Sequence, residues 1–167
     1  MPGRVLQCLT WEKSWTAFFI RLLKHVTQLD FEYNGDWEDL EIVENRLISD
    51  VVPRLLGALE TDGRSIKSSL IHGDLWEGNT GIARKDGNIF IFDSAAFNAH
   101  SEIEIGDWRC HYNRIHDKEY MESYLRHYNE RSELKAEWED RNRLSFIYFN
   151  IIYSVNYLSQ GTVMRQV

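Results

Sequence analysis

Basic charge is in short supply in this sequence: 19 Lys and Arg residues face 26 Asp and Glu, for a formal charge of −7. Nucleic-acid phosphates demand a basic surface, so this balance argues against a nucleic-acid partner. Cysteine is sparse too. Cys8 and Cys110 are the only two, far apart and without Cys-x-x-Cys spacing. Neither a disulfide framework nor a zinc site is expected, and a reducing, cytoplasmic setting fits. Both read as ordinary small packing residues. No apolar run approaches the length of a membrane span, and Met1-Pro2-Gly3-Arg4 leads into too short an apolar stretch for a signal peptide. What is present is enough for one domain with a real core: 167 residues, 43% of them hydrophobic.

Most of that apolar content recurs at helical steps. Trp11, Trp15, Phe18, Phe19, Leu22, Leu23, Val26 and Leu29 alternate with Glu12, Lys13, Arg21 and Lys24, which predicts an amphipathic first helix with an aromatic core stripe. Asp30 to Asp39, with the turn signal Asn34-Gly35-Asp36, is expected to link it to a second helix. That second pattern runs from Leu40 to Leu59, with acidic residues crowding its start, where they favour the helix dipole. Pro53 lacks a backbone donor and clashes with the preceding turn, so a kink or break is expected near Ser49-Asp50. Asp117 to Arg131 predicts a further helix, and Ala136 to Leu158 a last long one burying Trp138, Leu144, Ile147, Ile151, Ile152, Val155 and Leu158. The aromatic residues Phe146, Tyr148, Phe149, Tyr153 and Tyr157 of that helix are read as packing rather than as the wall of a ligand cleft.

Between the helical patterns lies a different texture. Ser69-Leu70-Ile71 leads into Ile71-His72-Gly73-Asp74-Leu75-Trp76-Glu77-Gly78-Asn79, and Thr80 to Ala83 reads as a short strand. Lys85-Asp86-Gly87-Asn88 then supplies a hairpin turn before Ile89-Phe90-Ile91-Phe92, which runs straight into Asp93. The hairpin fixes Asn79 before one strand and Asp93 after the other, so their oxygens can converge. Phosphoryl transfer from ATP needs a carboxylate beside the attacking hydroxyl and oxygen ligands that hold Mg²⁺ on the phosphates. Asp74, Asn79 and Asp93 are the residue types required, and the five-residue step from Asp74 to Asn79 is that of the protein-kinase catalytic loop. His72 reads as a structural histidine bonding the loop, and Gly73 and Gly78 as backbone positions that side chains would forbid. His100, His111, His116 and His127 form no helix-face metal pair and read as scattered surface residues.

His72-Gly73-Asp74-Leu75-Trp76-Glu77-Gly78-Asn79 resembles the His-Gly-Asp-Leu-Trp-x-Gly-Asn signature of the fructosamine kinase (ketosamine kinase) family, small-molecule kinases related to the aminoglycoside phosphotransferases. Trp76 favours the narrower family. The resemblance implies a mostly α (α+β) fold: the C-terminal lobe of the protein-kinase-like architecture, with a small β-hairpin at the catalytic loop. It implies Asp74 as catalytic base, Asn79 and Asp93 as ligands of Mg²⁺ on ATP, and a fructosamine or protein-ribulosamine substrate phosphorylated at its third carbon in deglycation. It also implies supporting roles for His72, Gly73, Trp76, Glu102 and Glu104. The family pattern carries Asp-Pro-Ala where this sequence has Asp93-Ser94-Ala95, and an Asp where Glu104 stands, so the longer Glu104 is expected to buttress the loop less well. Asp107 is a second candidate for that buttress. Residues 1–167 are expected to form this single lobe. No Gly-x-Gly-x-x-Gly and no Val-Ala-Ile-Lys-like strand occurs, so the N-terminal nucleotide-binding lobe is expected to be absent. Two other readings stand beside the first: an aminoglycoside- or choline-type phosphotransferase, and a non-catalytic truncated relative. No feature of the sequence assigns an oligomeric state.

Overall fold

In a computed structural model, the structure describes residues 6–110, 112–128 and 135–157. They divide into two compact units, Ser68–Phe146 and the described parts of Pro2–Lys67 and Ile147–Val167. The architecture is mostly helical with two small antiparallel sheets.

In the unit built around the N-terminal part of the chain, α1 (Trp15–Asn34) buries Trp15, Phe18, Phe19, Leu22, Leu23 and Val26. Burying each such side chain stabilises by about 1.5–3 kcal/mol against the extended chain. Its first turn is closed twice. Ser14 accepts from the Ala17 amide, and the Glu60 carboxylate accepts from the amides of Trp15 and Thr16 at 2.7 and 3.0 Å and from both hydroxyls there. A carboxylate at a helix N-terminus also meets the positive end of the dipole. Partial burial would raise the Glu60 pKa, but the bonds from Thr16, Trp15 and Ser14 outweigh it and hold the carboxyl below its ordinary value.

The helix differs from expectation at both ends. Trp11 lies outside it, 72% exposed, because Ser14 and Glu60 set the start four residues later. Asp30 to Asn34 is helical rather than linker. Asp30, 1% exposed, accepts from Ser154 at 2.6 Å and from Asn34 at 2.8 Å, so a buried polar residue is tolerated. Gly35, at φ 82°, ends the helix, its amide donating to Phe31. The second helical pattern forms α2 (Glu38–Arg46), a π-helical turn over Leu47–Val51, and α3 (Val52–Leu55). The Val52 amide reaches the Leu47 carbonyl, an i→i−5 bond that absorbs the strain of Pro53 without breaking the helix. None of the residues of α2 is buried; Val52, Leu55, Leu56 and Leu59 carry the burial instead.

In the other unit, β1 (Ser69–Ile71) pairs antiparallel with β4 (Phe97–Ala99) and β2 (Thr80–Ile82) with β3 (Ile89–Ile91). The β2–β3 turn is the Asp-Gly hairpin expected, with Gly87 at φ 73° and the Asn88 amide donating to the Asp86 side chain. Its apolar residues Ile82, Ile89, Phe90, Ile91 and Phe92 are all exposed. Short 3₁₀ turns over Ser101–Ile103 and Asp107–Arg109 lead to α4 (Lys118–Tyr128).

The last helix, α5 (Trp138–Asn156), buries Leu144, Tyr148, Phe149, Ile152 and Val155. Trp138, Ile147 and Ile151, expected in the core, are half-buried, whereas Arg141, Asn142, Ser145 and Ser154 are buried. Polar residues take those core positions because each has a partner there. Leu158, His111 and the span 129–131 lie outside the described residues.

Candidate active site

The strand pair β1–β4 sets the path of the loop that follows it. Ile71 is buried opposite Phe97, and Gly73 turns at φ 75° with its α-carbon so close to the Ala95 carbonyl that a Cβ would lie 2.7 Å from that oxygen. Only glycine fits both the left-handed conformation and the contact. Asp74 follows immediately, 8% exposed, and Asn79, 5% exposed, closes the loop at the end of a 3₁₀ turn over Glu77–Asn79.

Three of the residues singled out in the sequence meet at one nitrogen. Asn79 Nδ2 donates to the Asp74 carboxylate at 2.7 Å, to the Asp74 carbonyl at 2.8 Å and to the Asp93 carbonyl at 3.3 Å. Asp93 sits just past β3 in a left-handed conformation, φ 57°, and is exposed. A left-handed turn at a non-glycine residue is uncommon, though Asp tolerates it better than most. A backbone bond from the Phe92 amide to the Asn79 carbonyl, 3.0 Å, and a side-chain bond from His72 Nε2 to the Phe92 carbonyl, 3.0 Å, tie the hairpin's exit to the loop. Because a carbonyl only accepts, His72 carries its proton on Nε2.

The backbone before Asp74 is held by Glu104. Its two carboxylate oxygens accept the amides of His72, 2.6 Å, and Gly73, 2.9 Å. The additional methylene of Glu over Asp is accommodated: both contacts are short. Asp107 takes no bond from those amides. It accepts from Tyr112 Oη at 2.9 Å and Asn113 Nδ2 at 3.0 Å instead. Burial pushes its carboxyl up to about 6, against the Tyr112 bond and with the Asp74 carboxylate adding to the rise. Burial, with Asp107 next to it, also drives the Cys110 thiol and the Tyr112 hydroxyl far above their ordinary values.

Glu102 is engaged by a buried arginine. Both its oxygens bind Arg141, at 2.6 and 2.8 Å, in a pair that is 3% and 1% exposed, with His100 3.8 Å from the same carboxylate. The Trp76 indole crowds Gly78, where a Cβ would clash with the ring at 2.4 Å, so that position is kept free of a side chain by Trp76. The sequence reading missed Arg141 and Trp108. Arg141 shares a helical face with Ser145, Tyr148 and Ile152, a placement that marks a cation as buried and paired. His116 and His127 bond to the nearby carbonyls of Asn113 and Ser123.

Chemically, the loop offers a buried carboxylate and, from Asn79 and Asp93, hard oxygen donors. Among the described residues no three His, Cys, Asp or Glu side chains are grouped to hold a metal ion. Such a sparse set suits Mg²⁺, which takes one or two protein groups and completes its shell with phosphate oxygens and water.

A family model described as fructosamine kinase matches residues 1–165. The chain is 35% identical over 105 residues to a mouse (Mus musculus) ketosamine-3-kinase, covering 62% of this chain and 31% of that protein. It is 32% identical over 114 residues to a chloroplastic protein-ribulosamine 3-kinase of rice (Oryza sativa subsp. indica), covering 65% and 30%. The matched stretch thus spans less than a third of each curated relative. In fold, the chain resembles a crystal structure from Haemophilus somnus carrying the provisional name fructosamine-3-kinase: TM-score 0.69, 20% identity, covering 95% of this chain and 48% of that one.

Proposed function

The chain belongs to the fructosamine kinase family, and on that footing we propose that it carries the catalytic-loop lobe of an ATP-dependent ketosamine 3-kinase. The observation that supports this most is the convergence of Asp74, Asn79 and Asp93 on one amide nitrogen. In this reading Asp74 accepts or orients the proton of the attacking sugar hydroxyl. Asn79 Nδ2 holds that carboxylate in place. Asn79 and Asp93 would hold Mg²⁺, which neutralises charge on the transferring phosphates. Nothing covalent forms on the protein; positioning and electrostatics do the work.

The substrate class comes from the names of the relatives, a ketosamine-3-kinase and a protein-ribulosamine 3-kinase. The acceptor would be a fructose- or ribulose-type sugar joined to an amine, such as a protein lysine. Phosphorylation at its third carbon destabilises the adduct and frees the amine, a repair chemistry suited to the cytoplasm. The residues correspond to the C-terminal lobe of the kinase-like fold in this reading.

The test is phosphate transfer from MgATP to fructosyl- or ribulosyl-lysine, with Asp74→Asn beside the parent chain. The variant is expected to lower kcat about 10²- to 10⁴-fold, the range for a positioned general base. A folded parent chain that transfers no phosphate to either substrate would overturn the assignment.

A further inference from the structure

The backbone on the far side of Asp74 is held by a residue to which neither the family resemblance nor the loop motif assigns a role. Trp108, in the 3₁₀ turn over Asp107–Arg109, donates its indole Nε1–H to the carbonyl of Leu75 at 2.7 Å. Leu75 is the residue directly after Asp74. Indole nitrogen is a donor only, and Trp108 is buried, 7% exposed, so losing this acceptor would be costly. The bond carries no charge and does not titrate.

The indole is itself locked. Its ring stands edge-on to Tyr124, centroids 5.9 Å apart at 78°, and the Tyr124 hydroxyl donates to the Ser101 carbonyl at 3.2 Å. On one side of Trp108, Asp107 is fixed by Tyr112 and Asn113. On the other, Arg109 donates to Asn142 and lies 3.6 Å from Glu139. Gly106 packs so tightly on α5 that a Cβ would lie 2.4 Å from the Ser145 Cβ. The turn Gly106–Arg109 therefore has little freedom to shift, and through Trp108 it passes that rigidity to the loop.

We propose that Trp108 is a positioning residue for the Asp74 carboxylate, acting through the Leu75 carbonyl as the counterpart of Glu104, which grips the amides of His72 and Gly73. Asp74 is then clamped from both sides. The amides before it are bound by a carboxylate, and the carbonyl after it by an indole. This assignment rests on the phosphotransfer reading for its catalytic consequence, and on the geometry alone for the clamp.

Trp108→Phe keeps an aromatic ring and deletes the N–H. Trp11→Phe, at the exposed Trp11, is the control. In hydrogen–deuterium exchange, amides within residues 72–79 are expected to exchange about tenfold faster in Trp108→Phe, with peptides from α5 unchanged. In the kinase assay, kcat is expected to fall about 10- to 100-fold, as for a small misplacement of a reacting group, while KM for ATP and ketosamine stays within about twofold. Unchanged exchange in the loop overturns the clamp. A rise in KM with kcat intact overturns the positioning role. Faster exchange in a chain whose parent transfers no phosphate leaves the clamp standing and removes the phosphotransfer reading. Should the variant fail to fold, the parent decides: the Trp108 indole proton must exchange with water far more slowly than that of Trp11, and equal rates overturn the proposal.

Discussion

Asp107 is the residue whose surroundings depart most from what a carboxylate prefers. Burial sets its pKa near 6 in the folded chain, against 3.8 as the ordinary value. Between those values the folded state binds the proton that the unfolded state has released, so stability is greatest below about pH 4 and is lost as pH rises through about 6. Asp107→Asn removes the titration. In urea unfolding, wild type should therefore lose about 2–3 kcal/mol relative to Asp107→Asn between about pH 4 and pH 6.5. Parallel pH profiles for the two chains would show that the carboxyl is not held protonated. At this scale the sequence was a good guide to residue types around Asp74, because a five-residue step leaves little choice of chemistry. It was a poor guide to partners. Nothing local tells that Glu104 rather than Asp107 takes the loop amides, since both lie within a few residues of one another and the choice depends on which way the 3₁₀ turns face.

Two glycines, at the ends of two different elements, separate backbone strain from close approach. Gly73 and Gly87 share nearly the same φ, 75° and 73°, but a Cβ at Gly73 would strike the Ala95 carbonyl whereas one at Gly87 meets nothing within 4 Å. Gly87→Ala should cost about 1 kcal/mol, the left-handed penalty alone. Gly73→Ala should cost at least about 1 kcal/mol more, because the backbone at Ala95, just before β4, must move. Denaturant titration of both variants checks this, and equal losses would mean that the loop gives way freely. The β2–β3 hairpin was legible because its turn is written in two adjacent residues, Asp86-Gly87. The β1–β4 pair was not. It joins two three-residue strands across 25 intervening residues, and such short segments carry no periodicity of their own. The helix ends were displaced for a similar reason: Glu60, which starts α1 at Trp15, lies 45 residues away from it.

Across the whole molecule, the helical class followed from spacing, while the placement of buried polar groups did not. Arg141 with Glu102, and Asp30 with Ser154, are pairings over 39 and 124 residues that fix how α5 sits within each unit it belongs to. Removing one member of such a buried pair strands the other, so these positions carry more stability than their polarity suggests. Cys110 is buried, 0% exposed, with its thiol held protonated, whereas Cys8 is half-buried. Thiolate is the nucleophile in alkylation, so only one sulfur of the native chain is open to a maleimide reagent. Mass spectrometry should count a single adduct per molecule under native conditions and two after denaturation. Prompt double labelling of the native chain would contradict that burial. The second adduct then becomes a clock: its rate of appearance in rising urea times the opening of the segment behind Asp74, with no engineered probe.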